Sequence, residues 1–254
     1  MKCFFWISAW VVFFCYLPSL NAQCYYYRVD RLGNTWIIQE NKVVCFDKAL
    51  KLKGDYSNIQ LGNPTTIDVS NPFKVLIFYS LSQTMVFLNN TVSQIGEPII
   101  LPGNKVGEAA LVCTSSNGGI WVFDRQGWEI KLFDQAISFT SFKVVPEEEL
   151  SNHKPVFLQE ISGMLFVGFI NKGLYMYDGY GNIQNIFHID LPDQFFITDS
   201  SVLFCQNQQV LEYKLFGNGN SPSFQRKCVN SCLPLIINNK EFQYNGSKIL
   251  PCEK

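Results

Sequence analysis

The sequence predicts an all-β fold, a small β-propeller of about five to six blades built from short antiparallel strands. Three observations predict it. Hydrophobic and polar residues alternate along most of the chain, helical spacing is almost absent, and a strand–turn–strand unit recurs roughly every 40 residues. Val, Ile, Phe and Tyr fill the strand-like runs, as a half-buried pleated sheet prefers.

The recurring unit is an apolar strand, a turn that begins at Asp or Asn, and a second apolar strand. Its copies are residues 43–52, 85–95, 120–130, 174–186 and, more weakly, 210–216. The turn residues of the first four copies are Asp47, Asn89, Asp124 and Asp178, with separations of 42, 35 and 54 residues. Each short side chain is expected to accept hydrogen bonds from nearby backbone amides and so fix its turn.

One unit shows four complete strands, at residues 65–69, 74–79, 84–88 and 94–101. Four strands per unit is typical of a propeller blade. A single blade cannot bury both of its faces, so the units are expected to stack around a ring. A two-sheet β-sandwich is the main alternative, and five similar units argue against it.

Residues 146–154 interrupt this pattern, because they are polar and poor in strand formers. A surface loop is the simpler interpretation. A partner-binding insertion is the alternative, since insertions in repeat proteins cluster on one face.

The first 22 residues have the order of a secretory signal peptide. Lys2 precedes an apolar run over residues 3–17, Pro18 breaks the run, and Ala22 supplies a small residue at the cleavage point. The run is short for a bilayer-spanning helix, which makes a retained anchor the weaker alternative. The expected mature protein is therefore a single propeller domain over residues 23–254, either periplasmic or secreted.

Seven of the nine cysteines follow the signal peptide. Three of them, Cys45, Cys113 and Cys205, lie in apolar strands, where a free thiol usually behaves as a small buried hydrophobe. The others lie near the chain ends, with three in a C-terminal segment at about 228–254: Cys24, Cys228, Cys232 and Cys252. We predict that one or two disulfides among these four staple the termini.

Charge excludes one class of partner. The chain carries 20 Lys and Arg against 21 Asp and Glu, and loss of Lys2 with the signal peptide leaves a net charge of −2. Nucleic acid is therefore a poor partner, because binding to phosphates needs a basic excess.

No motif for catalysis, cofactor binding or metal binding stands out. The two histidines are His153 and His188, and His188 is interpreted as a structural residue on a strand. Residues 178–182 are superficially similar to a calcium loop but lack its later acidic positions, so a tight hairpin is the better interpretation. Asp68 and Asp124 are read as turn residues rather than an acid–base pair.

The chain is rich in aromatic residues, with 22 Phe, 11 Tyr and 5 Trp. Most are expected to pack between blades. The candidates for an exposed binding cluster are the tyrosines at 25–27, Trp121 and Trp128.

Two segments resemble an exported β-propeller family of Bacteroidota. They are residues 67–76 continuing to 85–90, and residues 112–124. The resemblance covers roughly residues 25–216 and does not extend to the tail from Cys228. Within that lineage the best-fitting role is a periplasmic plug, which closes the mouth of the large outer-membrane β-barrel translocon of type 9 secretion.

The resemblance thus implies a non-catalytic protein-binding propeller in the periplasm, whose partner is an outer-membrane barrel. The first alternative is an exported propeller that binds a sugar or peptide in its central channel or on one rim. A propeller hydrolase or lyase is the weakest alternative, because two histidines offer little for a catalytic cluster at the channel mouth.

Overall fold

Short antiparallel β-strands form nearly all the regular structure of the computed structural model. It describes residues 26–134, 139–143, 150, 153–192, 195–198, 200–207, 209–216, 223–227, 235–237, 240–244 and 246–251. The predicted signal peptide at 1–22 lies outside the described residues. Within these described ranges, no helix is long and apolar enough to cross a membrane.

Five four-stranded antiparallel sheets follow one another along the chain, and each is a propeller blade. The strands of blades 1 and 2 are β1 (Tyr26–Val29), β2 (Thr35–Gln39), β3 (Lys42–Phe46), β4 (Leu52–Ser57), β5 (Thr66–Asp68), β6 (Val75–Tyr79), β7 (Thr84–Leu88) and β8 (Gln94–Ile100). Those of blade 3 are β9 (Ala109–Thr114), β10 (Ile120–Asp124), β11 (Glu129–Phe133) and β12 (Phe139–Lys143).

The remaining strands complete two more blades and one smaller sheet. Blades 4 and 5 consist of β13 (Pro155–Ile161), β14 (Met164–Phe169), β15 (Gly173–Tyr177), β16 (Ile183–Phe187), β17 (Phe195–Ile197), β18 (Ser201–Gln206), β19 (Gln209–Lys214) and β20 (Ser223–Lys227). A three-stranded sheet follows, with β21 (Leu235–Ile237), β22 (Lys240–Tyr244) and β23 (Ile249–Pro251). The predicted all-β propeller is confirmed.

The middle strands of blades 1 and 2 are largely buried, and their fourth strands are largely exposed. All five residues of β6 and all five of β7 are buried, whereas the fourth strand β8 is exposed along most of its length. The fourth strand β4 of blade 1 is exposed in the same way. Middle strands are therefore continuous apolar runs, because both of their faces pack against neighbouring blades.

Apolar clusters join successive blades. Trp36 of blade 1 packs with Ile77 of blade 2, and Phe78 of blade 2 packs with Val122 of blade 3. The ring centroids of Phe123 in blade 3 and Phe169 in blade 4 are 5.9 Å apart. Each interface thus buries surface that one blade alone would expose to water.

Two further interfaces continue the ring. Phe187 of blade 4 and Tyr213 of blade 5 meet edge to face, with ring centroids 6.0 Å apart. The C-terminal three-stranded sheet packs on blade 1, where the rings of Tyr244 and Phe46 are 5.7 Å apart. The Tyr244 hydroxyl also donates to Oε1 of Gln39 at 2.8 Å. The C-terminal three-stranded sheet therefore contacts the first blade.

The blade with four predicted strands agrees closely with β5 to β8. Three of the predicted turn residues, Asp47, Asn89 and Asp178, follow the third strands of blades 1, 2 and 4. The side-chain Oδ1 of each accepts hydrogen bonds from the amides two and four residues later, at 2.8–3.0 Å. The structural role predicted for them is confirmed.

The fourth turn residue, Asp124, was placed wrongly in the repeat. It ends β10, the second strand of its blade, so residues 120–130 form a different hairpin from the other copies. The residue that follows the third strand of blade 3 is Asp134. Through Asp47, Asn89, Asp134 and Asp178 the separations are 42, 45 and 44 residues, which is a regular blade repeat.

The polar segment 146–154 lies mostly outside the described residues. Leu150 within it is fully buried in the cluster between blades 3 and 4, so this part of the segment contributes to the core.

The cysteines in apolar strands behave in two ways. Cys45 and Cys113 are buried free thiols, and burial raises the pKa of Cys45 to about 12. Cys205 is only half-buried and is disulfide-bonded, which corrects its assignment as a free buried thiol. Cys24, Cys228, Cys232 and Cys252 lie outside the described residues, so the terminal staple stays a prediction.

Candidate functional site

The antiparallel order of the strands gives the propeller two faces. The turns between first and second strands and those between third and fourth strands lie on one side, which we call the turn face. The turns between second and third strands and the links between blades lie on the other side, which we call the connection face.

On the turn face, Asp68 at the end of β5 links blade 2 to blade 3. Its Oδ2 accepts hydrogen bonds from the amide of Thr114 at 2.7 Å and from the Thr114 hydroxyl at 2.6 Å. Its Oδ1 accepts one from the Ser70 amide at 2.9 Å. The carboxylate is buried and accepts three hydrogen bonds, two of them from blade 3, so it holds two blades together.

Glu160 near the end of β13 makes the equivalent link from blade 4 to blade 3. Its Oε2 accepts hydrogen bonds from the Ser115 hydroxyl and from Nε1 of Trp121, both at 2.7 Å. Its Oε1 accepts from the amide and hydroxyl of Ser116. Burial alone would raise the pKa of Glu160, but these hydrogen bonds outweigh it and lower the pKa.

Asp30, in the first turn of blade 1, is satisfied in the same way. Its two oxygens accept from the amides of Leu32 and Asn34, from the side-chain amide of Asn34 and from Nε1 of Trp36, at 2.8–2.9 Å. The carboxylates of Asp30, Asp68 and Glu160 therefore all accept hydrogen bonds from within the fold.

A polar depression of about 500 Å³ opens between these links. The first turns of four blades line it, through residues Arg31, Ser70, Asn71, Pro72, Lys74, Thr114, Ser115, Ser116, Gly118, Gly119, Ile120, Glu160, Ser162 and Gly163. Two smaller depressions of about 270 and 180 Å³ share Glu160 with it. The combined volume falls in the range of ligand pockets, which spans about 300–1,000 Å³.

Exposed apolar side chains also lie on the turn face. Leu32 and Phe73 are 45% and 59% exposed, and each is adjacent in sequence to a cation that lines the depression. Tyr180 is 90% exposed at the tip of the turn between β15 and β16. The turn face therefore combines a polar depression with exposed apolar groups, as protein-binding surfaces do.

The central channel, by contrast, is closed. The buried Arg28 lies across it, with its guanidinium carbon 4.2 Å from the ring centroid of Tyr26 and 5.6 Å from that of Phe157. Nη1 of Arg28 donates to the Tyr27 carbonyl at 3.0 Å. The space left beside Asp68 and Leu111 is about 10 Å³, which is room for one water molecule. At the level of Arg28 the described residues therefore leave no room for a ligand, whereas the depression of about 270 Å³ lies at the turn-face ends of β1, β5, β13 and β17.

The connection face carries a buried ion pair in blade 3. Nζ of Lys131 is 2.7 Å from Oδ2 of Asp124 and also donates to the Lys105 carbonyl. Burial would raise the pKa of Asp124, but the hydrogen bond from Lys131 and those from backbone amides lower it to about 2. Asp124 thus has a structural partner on the connection face, whereas Asp68 lies on the turn face.

The aromatic candidates for a binding cluster are largely in the core. Trp121 and Trp128 are buried between blades 3 and 4, and Tyr27 is buried on β1. Tyr26 is half-buried beside Arg28, and Tyr25 lies outside the described residues. Among the described residues the exposed aromatics are instead Phe73, Tyr180 and Phe216, which sequence reasoning missed. Phe73 and Tyr180 sit in turns and Phe216 follows β19, where exposure could have been anticipated.

The histidines do not form a reactive cluster. Nδ1 of His153 is 3.1 Å from the Ile170 carbonyl, and His188 is exposed just beyond β16 rather than on it. Neither lines the depressions of the turn face. Across the described part of the chain, no three His, Cys, Asp or Glu side chains are close enough to hold a metal ion.

The chain is similar in fold to several solved β-propellers. Virginiamycin B lyase from Staphylococcus aureus is 14% identical, with 89% of this chain and 74% of that chain covered and a TM-score of 0.52. A streptogramin B lyase is 13% identical, with coverages of 87% and 72% and a TM-score of 0.55. BBS1N in complex with ARL6DN is 14% identical, with coverages of 86% and 73% and a TM-score of 0.53.

No protein-family model and no curated protein matches the sequence. Because the identities to the solved structures are low, the comparisons define the class of protein by fold alone: the chain is a β-propeller.

Proposed function

We propose that the protein is a non-catalytic, protein-binding propeller that plugs the periplasmic opening of the type 9 secretion outer-membrane translocon. The observation that carries this proposal is the closed axis. Arg28, Tyr26 and Phe157 fill the centre of the ring and leave about 10 Å³. A plug in an aqueous pore has to be impermeable itself, and a propeller with an open channel would leak.

The proposed action is steric. Stacked blades joined by apolar clusters and by the Asp68 and Glu160 links form a rigid disc, which suits a part that blocks a pore without changing shape. Such a seal needs an interface of about 1,200 Å² or more. Exposed apolar residues lie on both faces, with Leu32, Phe73 and Tyr180 on the turn face and Ile59 and Leu81 on the connection face. The turn face is the candidate for that interface because it also carries the polar depression.

Affinity purification of a tagged copy from its native host tests the proposal. We expect a large outer-membrane β-barrel to co-purify, and we expect the tagged protein itself in the periplasmic fraction. Recovery of the protein without any such barrel would reject the plug. The matched control is a tagged periplasmic protein of unrelated fold.

An exported ligand-binding propeller is the second candidate, and the polar depression of about 500 Å³ favours it. Its ligand would lie on the turn face, because the axis is filled at Arg28. Thermal-shift screening with sugars and short peptides tests this candidate. A sugar that raises the melting temperature of the protein when the barrel partner is absent would support the ligand-binding propeller over the plug.

A lyase is a third candidate, since two of the similar structures are lyases. A His-to-Ala variant of virginiamycin B lyase, solved with quinupristin, is catalytically inactive. In this chain His153 and His188 both lie away from the depression, and the acidic groups of the turn face are engaged in structural hydrogen bonds. Incubation with quinupristin, followed by mass spectrometry, is expected to leave the compound intact.

A further inference from the structure

The hydrogen-bonding capacity of the turn face is unbalanced. The carboxylates of Asp30, Asp68 and Glu160 each accept three or more hydrogen bonds from the fold. Their lone pairs are therefore largely used, and an incoming donor group gains little from them.

The hydrogen-bond donors of the two cations in the same depression, by contrast, are largely unused. Arg31 and Lys74 line it and are exposed, and within the described part of the chain neither makes an ion pair or a side-chain hydrogen bond. Nζ of Lys74 lies over the Phe87 ring, 4.5 Å from its centroid. The donors left over on this surface thus belong to a guanidinium and an ammonium, which prefer carboxylate acceptors.

Each of these cations has an exposed apolar neighbour, Leu32 beside Arg31 and Phe73 beside Lys74. The depression between them is wide enough for several side chains, at about 500 Å³. A free inorganic anion would use the cations but not the apolar groups. A protein segment that carries acidic and apolar side chains together would use both.

We propose that the turn-face depression binds an acidic segment of a partner protein, with carboxylates at Arg31 and Lys74 and apolar side chains against Leu32 and Phe73. This inference deepens the proposed function, since it identifies the chemistry of the partner surface. It also holds for a protein partner other than the translocon.

The first test measures binding of a short fluorescein-labelled peptide of alternating Glu and Phe, by fluorescence anisotropy at low ionic strength. The mature protein is expected to bind this peptide more tightly than the matched Gln–Phe and Lys–Phe peptides. The double variant Arg31→Glu/Lys74→Glu is expected to weaken binding on the order of tenfold, because two exposed ion pairs are lost.

The control variant is Lys51→Glu/Lys53→Glu, which makes the same change in net charge at exposed positions in and before the outer strand β4. It is expected to bind like the unmodified protein. Equal weakening by both double variants, or equal binding of the three peptides, would overturn the proposal. The proposal would also be overturned, in favour of a simple anion site, by two results together. Inorganic phosphate would bind tightly and compete with the Glu–Phe peptide, and the Phe residues of the peptide would contribute nothing to its binding.

A second test separates this inference from the plug. Tagged Arg31→Glu/Lys74→Glu is purified from the native host beside the unmodified protein. Undiminished recovery of an outer-membrane barrel would reject this depression as the surface that binds the barrel and would leave the plug intact. Peptide binding that depends on Arg31 and Lys74, with no barrel recovered by either protein, would reject the plug and leave the site.

Discussion

Nε1 of Trp121 donates a 2.7 Å hydrogen bond to Oε2 of Glu160, and the two residues belong to adjacent blades. Trp121 itself is buried in the apolar cluster between blades 3 and 4, so its polar atom needs a partner. Glu160 supplies that partner and also collects Ser115 and Ser116 of the neighbouring turn. One carboxylate thus orients the floor of the depression and secures a blade interface.

Replacement of Glu160 by Ala is expected to destabilise the fold by about 2 kcal/mol, because hydrogen bonds to a charged acceptor are lost and the Trp121 indole is left unsatisfied. Urea denaturation followed by tryptophan fluorescence measures the change. Glu97→Ala is the control, since Glu97 is exposed on β8, and about 0.5 kcal/mol or less is expected there. Equal effects of the two changes would contradict a structural role for Glu160.

Asp124 is expected to make the fold acid-sensitive. Its pKa is lowered to about 2 in the fold, below the ordinary 3.8, so its contribution to stability is complete above pH 3.8 and is lost as the pH falls towards 2. In Asp124→Asn the free energy of unfolding should change less with pH over this window. Denaturation curves at several pH values check this, and an unchanged pH dependence would refute it.

The same pair predicts a difference between single and double variants. Asp124→Asn removes the carboxylate 2.7 Å from the buried Lys131 and leaves it the longer ion pair to Glu129 at 3.5 Å, so a loss of up to about 3 kcal/mol is expected at neutral pH. Asp124→Leu/Lys131→Met removes both charges and is expected to be less destabilised than the single variant. Denaturation of both variants at pH 7 decides the matter, and a double variant that is the less stable of the two would contradict it.

Arg28 is expected to keep water out of the channel. Arg28→Ala removes the guanidinium that lies over Tyr26 and Phe157, and the loss of these cation–π contacts should destabilise the fold by about 1–2 kcal/mol. Hydrogen exchange of the first strands β1, β5 and β13 should become faster, because solvent reaches them through the opened axis. Arg31→Ala, on the turn face, is the control and should leave that exchange unchanged.

Much of the fold was predictable because it is encoded locally. The strands of blade 2 and the turns at Asp47, Asn89 and Asp178 follow from alternating hydrophobicity and from side-chain to backbone hydrogen bonds. The turn at Asp124 was misassigned because, in blade 3, the second and third hairpins show the same strand–Asp–strand pattern, at Asp124 and Asp134. Only pairing with a third and fourth strand distinguishes them, and that is a property of the folded sheet.

The candidate site was harder to predict, since it is made by contacts between distant segments. Glu160 and Trp121 are 39 residues apart, and Asp68 and Thr114 are 46 apart. Nothing in the local sequence around Arg31 or Lys74 distinguishes them from ordinary surface cations. Their importance depends on the turns of four blades meeting around one depression.

Two glycines test how closely blade 4 is packed. Gly173 and Gly163 both have a positive φ, of 116° and 78°, so a side chain strains the backbone at each. A Cβ at Gly173 would lie 2.1 Å from the Phe187 carbonyl oxygen, whereas nothing lies within 4 Å of a Cβ at Gly163. Gly163→Ala should therefore cost about 1 kcal/mol from the backbone alone. Gly173→Ala should cost more than about 3 kcal/mol, because β15 and β16 must also move apart. Thermal denaturation of the two variants compares them directly, and similar losses would show that the β15–β16 pairing is looser than this structure has it.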